Sequence, residues 1–271
     1  MEGVDLEVEG AVATITIDRQ DDENRLTFEA LLRLQSIVAE VGDRDDIQAV
    51  VIRGRGSAFF CTGVLNPALR GSMSKDDVLR LVFLAGAVFD AIEALPQMVI
   101  AGINGTARAG GVELALACDM RIATAGARLA LPEARWGGFP GAGAPVRLPA
   151  IVGYGRAAEL IATGREVVAE EMLRIGLVEH VVPGAAFDSA LRDLAVTIAG
   201  NGPLATRGAK RIMRLRREAG PQAARQLSDV LRRSLEYSHD VDEGIGAHRE
   251  GRRPMFTGRS LRDRRYHGGW R

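Results

Sequence analysis

Two glutamates and a run of small residues carry the chemistry that can be read from this sequence. The run is Ala109-Gly110-Gly111, and it leads straight into Val112-Glu113-Leu114-Ala115-Leu116-Ala117, which reads as a helix. Before it, the apolar stretch Met98 to Ile103 reads as a buried strand, broken by Asn104-Gly105. A strand, a small-residue turn and a helix start leave backbone N–H groups free at the positive end of a helix dipole. Such an end holds an anion, or an oxygen that becomes negative during a reaction. Glu113 lies in the first turn of that helix, and Glu133 follows Pro132 in LPEARWGGFPG. Two carboxylates near one water can divide the work of acid and base between them. Each feature also has an ordinary structural use: an acid complements a helix dipole, Pro-Glu opens a helix, and glycines permit close packing.

The rest of the chain must position these groups. At 271 residues it is long enough to bury a sizeable core in one large domain with a terminal extension. Formal net charge is zero, so no global field draws nucleic acid or an anionic membrane. Cys61 and Cys118 are too few for a disulfide framework and lack metal-ligand spacing with a histidine. No basic leader with an apolar core and no apolar run of membrane length is present, so a cytoplasmic protein is expected. The segment GTARAGG is not G-x-G-x-x-G, which speaks against a dinucleotide site.

Taken in order, Leu6 to Asp18 alternates around Glu9-Gly10 as a hairpin would. Thr27 opens an amphipathic helix with apolar positions at Leu31, Leu34, Ile37, Val38 and Val41. Ile47 to Arg53 reads as a second buried strand. Ser74 caps a long helix to Ala94, with Asp76 and Asp77 in its first turn. Tyr154 falls in a short helix ending at Thr163-Gly164, and His180 sits in a strand-like end with a structural role. From Phe187 the pattern is helical: 187–199, 203–217, 222–237 and 242–250. The arginine-rich helices interleave acids and read as solvated faces.

The series N-G-x-A-x-x-G-G-x-E-L-A-L-A-C-D-x-R-I-A, then L-P-E, then F-P-G-x-G resembles the enoyl-CoA hydratase/isomerase (crotonase) superfamily, over roughly residues 5–258. The resemblance implies an α/β fold: a spiral of repeated β-β-α turns with a helical C-terminal trimerisation region. Residues 1–200 would form the core domain, 201–258 the helical region, and 259–271 a flexible or interfacial tail. It assigns two backbone donors for the thioester oxygen to Val64, after Phe60-Cys61-Thr62-Gly63, and Gly110. It assigns the acid and base to Glu113, activating water, and Glu133, protonating C2. It places Arg25, Gly63, Phe139, Pro140, Gly141 and Phe256 along the substrate and coenzyme A, with Arg252, Met73 and Phe83 as further candidates. No metal or other cofactor is implied beyond the coenzyme A of the substrate, and a homotrimer or dimer of trimers is expected.

Retention of both acids favours a hydratase. The alternatives are an isomerase working mainly through Glu133, or a non-catalytic binder of coenzyme A thioesters. Several positions depart from the family pattern. Asp21, Asp22 and Glu23 occupy a region where positive charge is usual, Leu65 and Asn66 replace aspartate and leucine, and Ala144-Pro145 replace Gly-Thr. Thr106 and Arg108 replace an aromatic and an aliphatic residue, Ala109 replaces a glycine, and Arg108 is expected to point to solvent.

Overall fold

The alternating start of the chain pairs with itself. Strands β1 (Val4–Glu9) and β2 (Val12–Ile17) form an antiparallel hairpin through Gly10, which takes φ 57°. Helix α1 (Phe28–Gly42) follows, capped by the Thr27 side chain, which accepts from the Ala30 N–H. The computed structural model describes residues 3–258, so the expected tail at 259–271 lies outside the described residues.

Three turns of one pattern come next. The first is β3 (Ala49–Gly54), β4 (Phe59–Cys61), α2 (Pro67–Ser72) and α3 (Lys75–Ala94). The second is β5 (Met98–Ile103), β6 (Thr106–Arg108) and α4 (Gly110–Ala117). The third is β7 (Met120–Thr124), β8 (Arg128–Ala130), a 3-10 turn at Pro132–Trp136, and α5 (Ala144–Val152). The chain then runs through α6 (Tyr154–Thr163), β9 (Val167–Val168), α7 (Ala169–Arg174), β10 (His180–Val182) and α8 (Phe187–Ala199). Two further helices close it, α9 (Pro203–Glu236) and α10 (His239–Glu250).

The first strand of each turn joins a six-stranded sheet, ordered β1-β2-β3-β5-β7-β10 and parallel from β2 onward. The second strand joins a smaller sheet, β4-β6-β8-β9. Each turn therefore advances one strand in both sheets, which is the spiral of β-β-α turns. The run of apolar residues in β3 and β5 is required because both faces of the large sheet are covered. One face packs on α1 and α3. On the other, Phe187, Leu191 and Ala195 of α8 meet Ala49, Val51, Ile100 and Ile122.

Two buried asparagines staple successive turns. Asn104 Oδ1 accepts from the Gly54 N–H, and its Nδ2 donates to the Gly56 and Phe59 carbonyls. Asn24 donates to the Arg55 and Phe59 carbonyls. In the C-terminal region, α9 is kinked at Gly220 (φ 85°, ψ −178°) beside Pro221, which divides it near the expected break between 217 and 222. Lys210 anchors α9 to the sheet edge through Asp119 (2.6 Å) and the Gln97 carbonyl (2.7 Å). Among the described residues no helix is long and apolar enough to cross a membrane.

Candidate active site

Strands β4, β6 and β8 are neighbours in one parallel array, so the segments leaving their C-terminal ends must gather at one edge of the small sheet. Those segments hold Gly63-Val64, Ala109-Gly110 and Pro132-Glu133. A Cβ built on Gly63, which has φ 91°, would lie 2.7 Å from the Gly110 nitrogen. A Cβ on Gly110 would lie 3.4 Å from the Val64 nitrogen. The main chains at 63–64 and 110 thus touch, with no side chain between them. Among the described residues, neither the Val64 nor the Gly110 N–H has an acceptor, whereas those of Val112 and Glu113 both bond the Ala109 carbonyl. The two N–H groups expected to hold an oxyanion are brought together, unspent and at a helix start.

The contact is enforced from below. Gly111 sits so close that any Cβ would overlap the Cys61 carbonyl oxygen. Ala109 takes φ 51° and ψ −126°, a conformation that suits glycine and strains alanine. The departure from glycine at this position is therefore met with backbone strain, held by the Ala109 N–H to the Ala130 carbonyl at 3.0 Å.

The two carboxylates have different surroundings. Glu113 is 3% exposed in α4, and its Oε1 accepts from the N–H groups of Ala142 (2.9 Å) and Ala144 (3.0 Å). Burial raises its pKa, against the opposing pull of those peptides and of the Arg147 charge. Glu133 is half-buried in the 3-10 turn, with Oε2 enclosed and without a hydrogen-bond partner among the described residues. Burial pushes its pKa up to about 7, its own backbone N–H opposes this, and the Glu113 charge raises it further. One carboxyl is buried and held by peptide donors, and the other is half-buried with one oxygen left without a partner among the described residues.

A cleft of about 560 Å³ is lined by chain neighbours of these groups, Leu65, Ala109 and Pro132, together with Arg25, Arg108 and Trp136; Glu113, Glu133, Val64 and Gly110 are not among its lining residues. Arg108 is exposed. Arg25 is engaged: its Nη2 donates to Asp22 Oδ2 at 2.6 Å and its Nε to Oδ1 at 3.1 Å. Asp22 also binds Arg19, so one acid of the unusual acidic run occupies the cation expected for phosphate. The 139–141 turn places Pro140 in the interior, Phe139 at 73% exposure and Gly141 against Val82 of α3. Met73 lines a separate pocket with Arg25 and Arg80, and Phe83 is exposed. Phe256 is not brought to the cleft within this chain. Its ring lies beside Gly202 and Gly244, and Arg252 is paired with Glu243 and Glu250.

Sequence reasoning missed Arg147 and Trp136. Arg147 had a signal, a lone charge inside the apolar helix APVRLPAIV, where burial demands partners. Trp136 had only its closeness to Glu133.

The family model for enoyl-CoA hydratase/isomerase matches residues 7–259. The chain is 35% identical over 210 residues to a short-chain-enoyl-CoA hydratase from Clostridium acetobutylicum, covering 78% of this chain and 80% of that one. It is 34% identical over 260 residues to an (E)-benzylidenesuccinyl-CoA hydratase from Thauera aromatica, covering 94% and 99%. The crystal structure of an enoyl-CoA hydratase from Bacillus anthracis superposes with a TM-score of 0.92 at 35% identity, covering 95% of this chain and 100% of that one.

Proposed function

The chain belongs to the enoyl-CoA hydratase/isomerase family, and from that premise we propose that it adds water across the double bond of a 2-enoyl-CoA thioester. The observation that carries the reading is the close approach of the Val64 and Gly110 main chains, their N–H groups unspent among the described residues, on segments that also carry two acids in unlike surroundings. Attack of water at C3 moves the π electrons of the enoyl system toward the thioester oxygen. The Val64 and Gly110 N–H groups stabilise that developing charge, a contribution of about 3–4 kcal/mol per donor in comparable sites. Glu113, whose Oε1 is gripped by the Ala142 and Ala144 peptides, accepts the proton that water loses. Glu133, protonated near neutrality, delivers a proton to C2 as the enolate collapses. One water enters, C3–O and C2–H bonds form, and exchange of a proton between the acids and solvent resets the site. The cycle needs no group beyond the coenzyme A carried by the substrate.

Relatives of similar identity are named for a short-chain and for a benzylidenesuccinyl substrate, so family likeness leaves the acyl group open. The exposed apolar residues Met213 and Val230 on α9, with Met255 beyond α10, support assembly through the C-terminal region as a trimer or dimer of trimers. Light scattering on the purified protein tests that assembly.

The activity is tested by following loss of the enoyl absorbance of crotonyl-CoA. Glu113→Gln should lower kcat by about 10²–10⁴-fold, the usual contribution of a placed general base. Unchanged turnover would remove Glu113 from the mechanism. Conversion of a 3-enoyl-CoA without a hydrated product would replace the hydratase reading with isomerisation through Glu133.

A further inference from the structure

The loop that binds Glu113 also carries a second charged assembly, which the proposed reaction does not use. Arg147 of α5 is 4% exposed. Its Nε donates to Glu93 Oε2 at 2.8 Å, its Nη1 to the Ala142 carbonyl at 3.1 Å, and its Nη2 to the Asp90 carboxylate. Glu93 and Asp90 lie on the last turns of α3. Glu93 also receives Arg217 of α9, and the two arginines hold its carboxyl below the usual range despite burial. The guanidinium lies so tightly on the 142–144 loop that a Cβ at Gly143 would overlap Nη1. That loop is the one whose Ala142 and Ala144 N–H groups grip Glu113 Oε1.

We propose that Arg147 is a positioning residue for Glu113, fixing the peptides that hold the carboxylate, and that Glu93 and Arg217 tie this grip to the C-terminal helix α9. The two faces of one backbone segment are used at once: the carbonyl of Ala142 meets the guanidinium, and its N–H meets the carboxylate. The two peptides that meet at the Ala142 Cα are each anchored, one on the carboxylate and one on the guanidinium, so rotation of the backbone at Ala142 is restrained. Arg147 itself is kept in the interior by its two acids, since a buried guanidinium without them would be costly. The charged groups facing Glu113 are Arg147 from α5 and Glu133 from the 3-10 turn, with Glu93, Asp90 and Arg217 standing behind Arg147.

The kinetic part of the test rests on the hydratase reading; the titration part does not. Arg147→Gln, Arg147→Lys and Glu93→Gln are compared with the parent and with Arg44→Gln, which removes an exposed Arg44–Asp46 pair. With crotonyl-CoA, Arg147→Gln should lower kcat by about 10²-fold, the cost of misplacing a catalytic group by about 1 Å, with KM little changed. Arg147→Lys keeps the charge without the fork and should lie between the parent and Arg147→Gln. In 13C NMR of labelled glutamates, with the Glu113 signal assigned by its loss in Glu113→Gln, the midpoint should move up in Arg147→Gln. It should move partway in Arg147→Lys and Glu93→Gln, and stay put in Arg44→Gln. A folded Arg147→Gln with the parent's kcat and Glu113 midpoint overturns the proposal. Should Arg147→Gln not fold, an unmoved midpoint in Glu93→Gln does so instead. A parent that hydrates neither crotonyl-CoA nor longer-chain and aryl 2-enoyl-CoA thioesters sinks the hydratase reading, and the titration still decides the role of Arg147.

Discussion

Replacing Glu133 by glutamine separates the cost of its carboxyl to the fold from its use in the reaction. The side chain is half-buried, one oxygen has no partner among the described residues, and Glu113 adds repulsion. Together these raise its pKa from the ordinary 4.5 to about 7. For a group whose folded pKa is raised, the folded state keeps the proton longer than the unfolded chain does. Below pH 4.5 the acid is neutral in both states and costs nothing. Between 4.5 and 7 the unfolded chain loses its proton first, so stability falls as pH rises, and above 7 the loss is complete. A rise of this size corresponds to about 3 kcal/mol, and solvent reaching a half-buried group brings the expectation to about 2 kcal/mol. Glu133→Gln escapes the loss. In thermal melts at fixed protein concentration it should match the parent at pH 4.5 and exceed it at pH 8.5 by roughly 4–8 °C, taking 2–4 °C per kcal/mol for a domain of this size. Its crotonyl-CoA turnover should meanwhile drop by about 10²–10⁴-fold. A melting difference independent of pH would refute the electrostatic account. A turnover loss below about tenfold would refute the acid role.

Other outcomes follow from the same geometry. Ala109→Gly relieves the strain at φ 51° and should raise stability by about 1 kcal/mol after the added flexibility of the unfolded chain is counted, as read by urea denaturation. Gly111→Ala forces a Cβ into the Cys61 carbonyl and should cost about 3 kcal/mol, with turnover lost as the Val64 and Gly110 donors part. Asp22→Asn releases Arg25 toward the cleft and should lower KM for a coenzyme A thioester by about two- to fivefold at low salt, an effect that added salt erases.

Much of the scaffold was legible because it depends on local chemistry. Thr27 and Ser74 cap the helices they precede, Asn104-Gly105 ends β5, and the apolar runs of β3 and β5 lie in a sheet covered on both faces. The break before Pro221 was visible for the same reason, since Gly-Pro cannot continue a helix unbent. The site residues came instead from the motif series, which pointed to Glu113, Glu133, Val64 and Gly110 without saying how they meet. Only the tertiary structure brings the main chains at 63–64 and 110 together. Advancing one strand per turn in a parallel sheet brings the ends of β4, β6 and β8 to one edge, and no residue periodicity encodes which ends those are. The same holds for the electrostatics. Asp22 reaches back to engage Arg25, Arg147 crosses from α5 to the end of α3, and Phe256 settles against Gly202 and Gly244 rather than the cleft. A side chain's type fixes its charge and reach. Its partner and its solvation are set by every element that packs around it, and these give the two glutamates different surroundings.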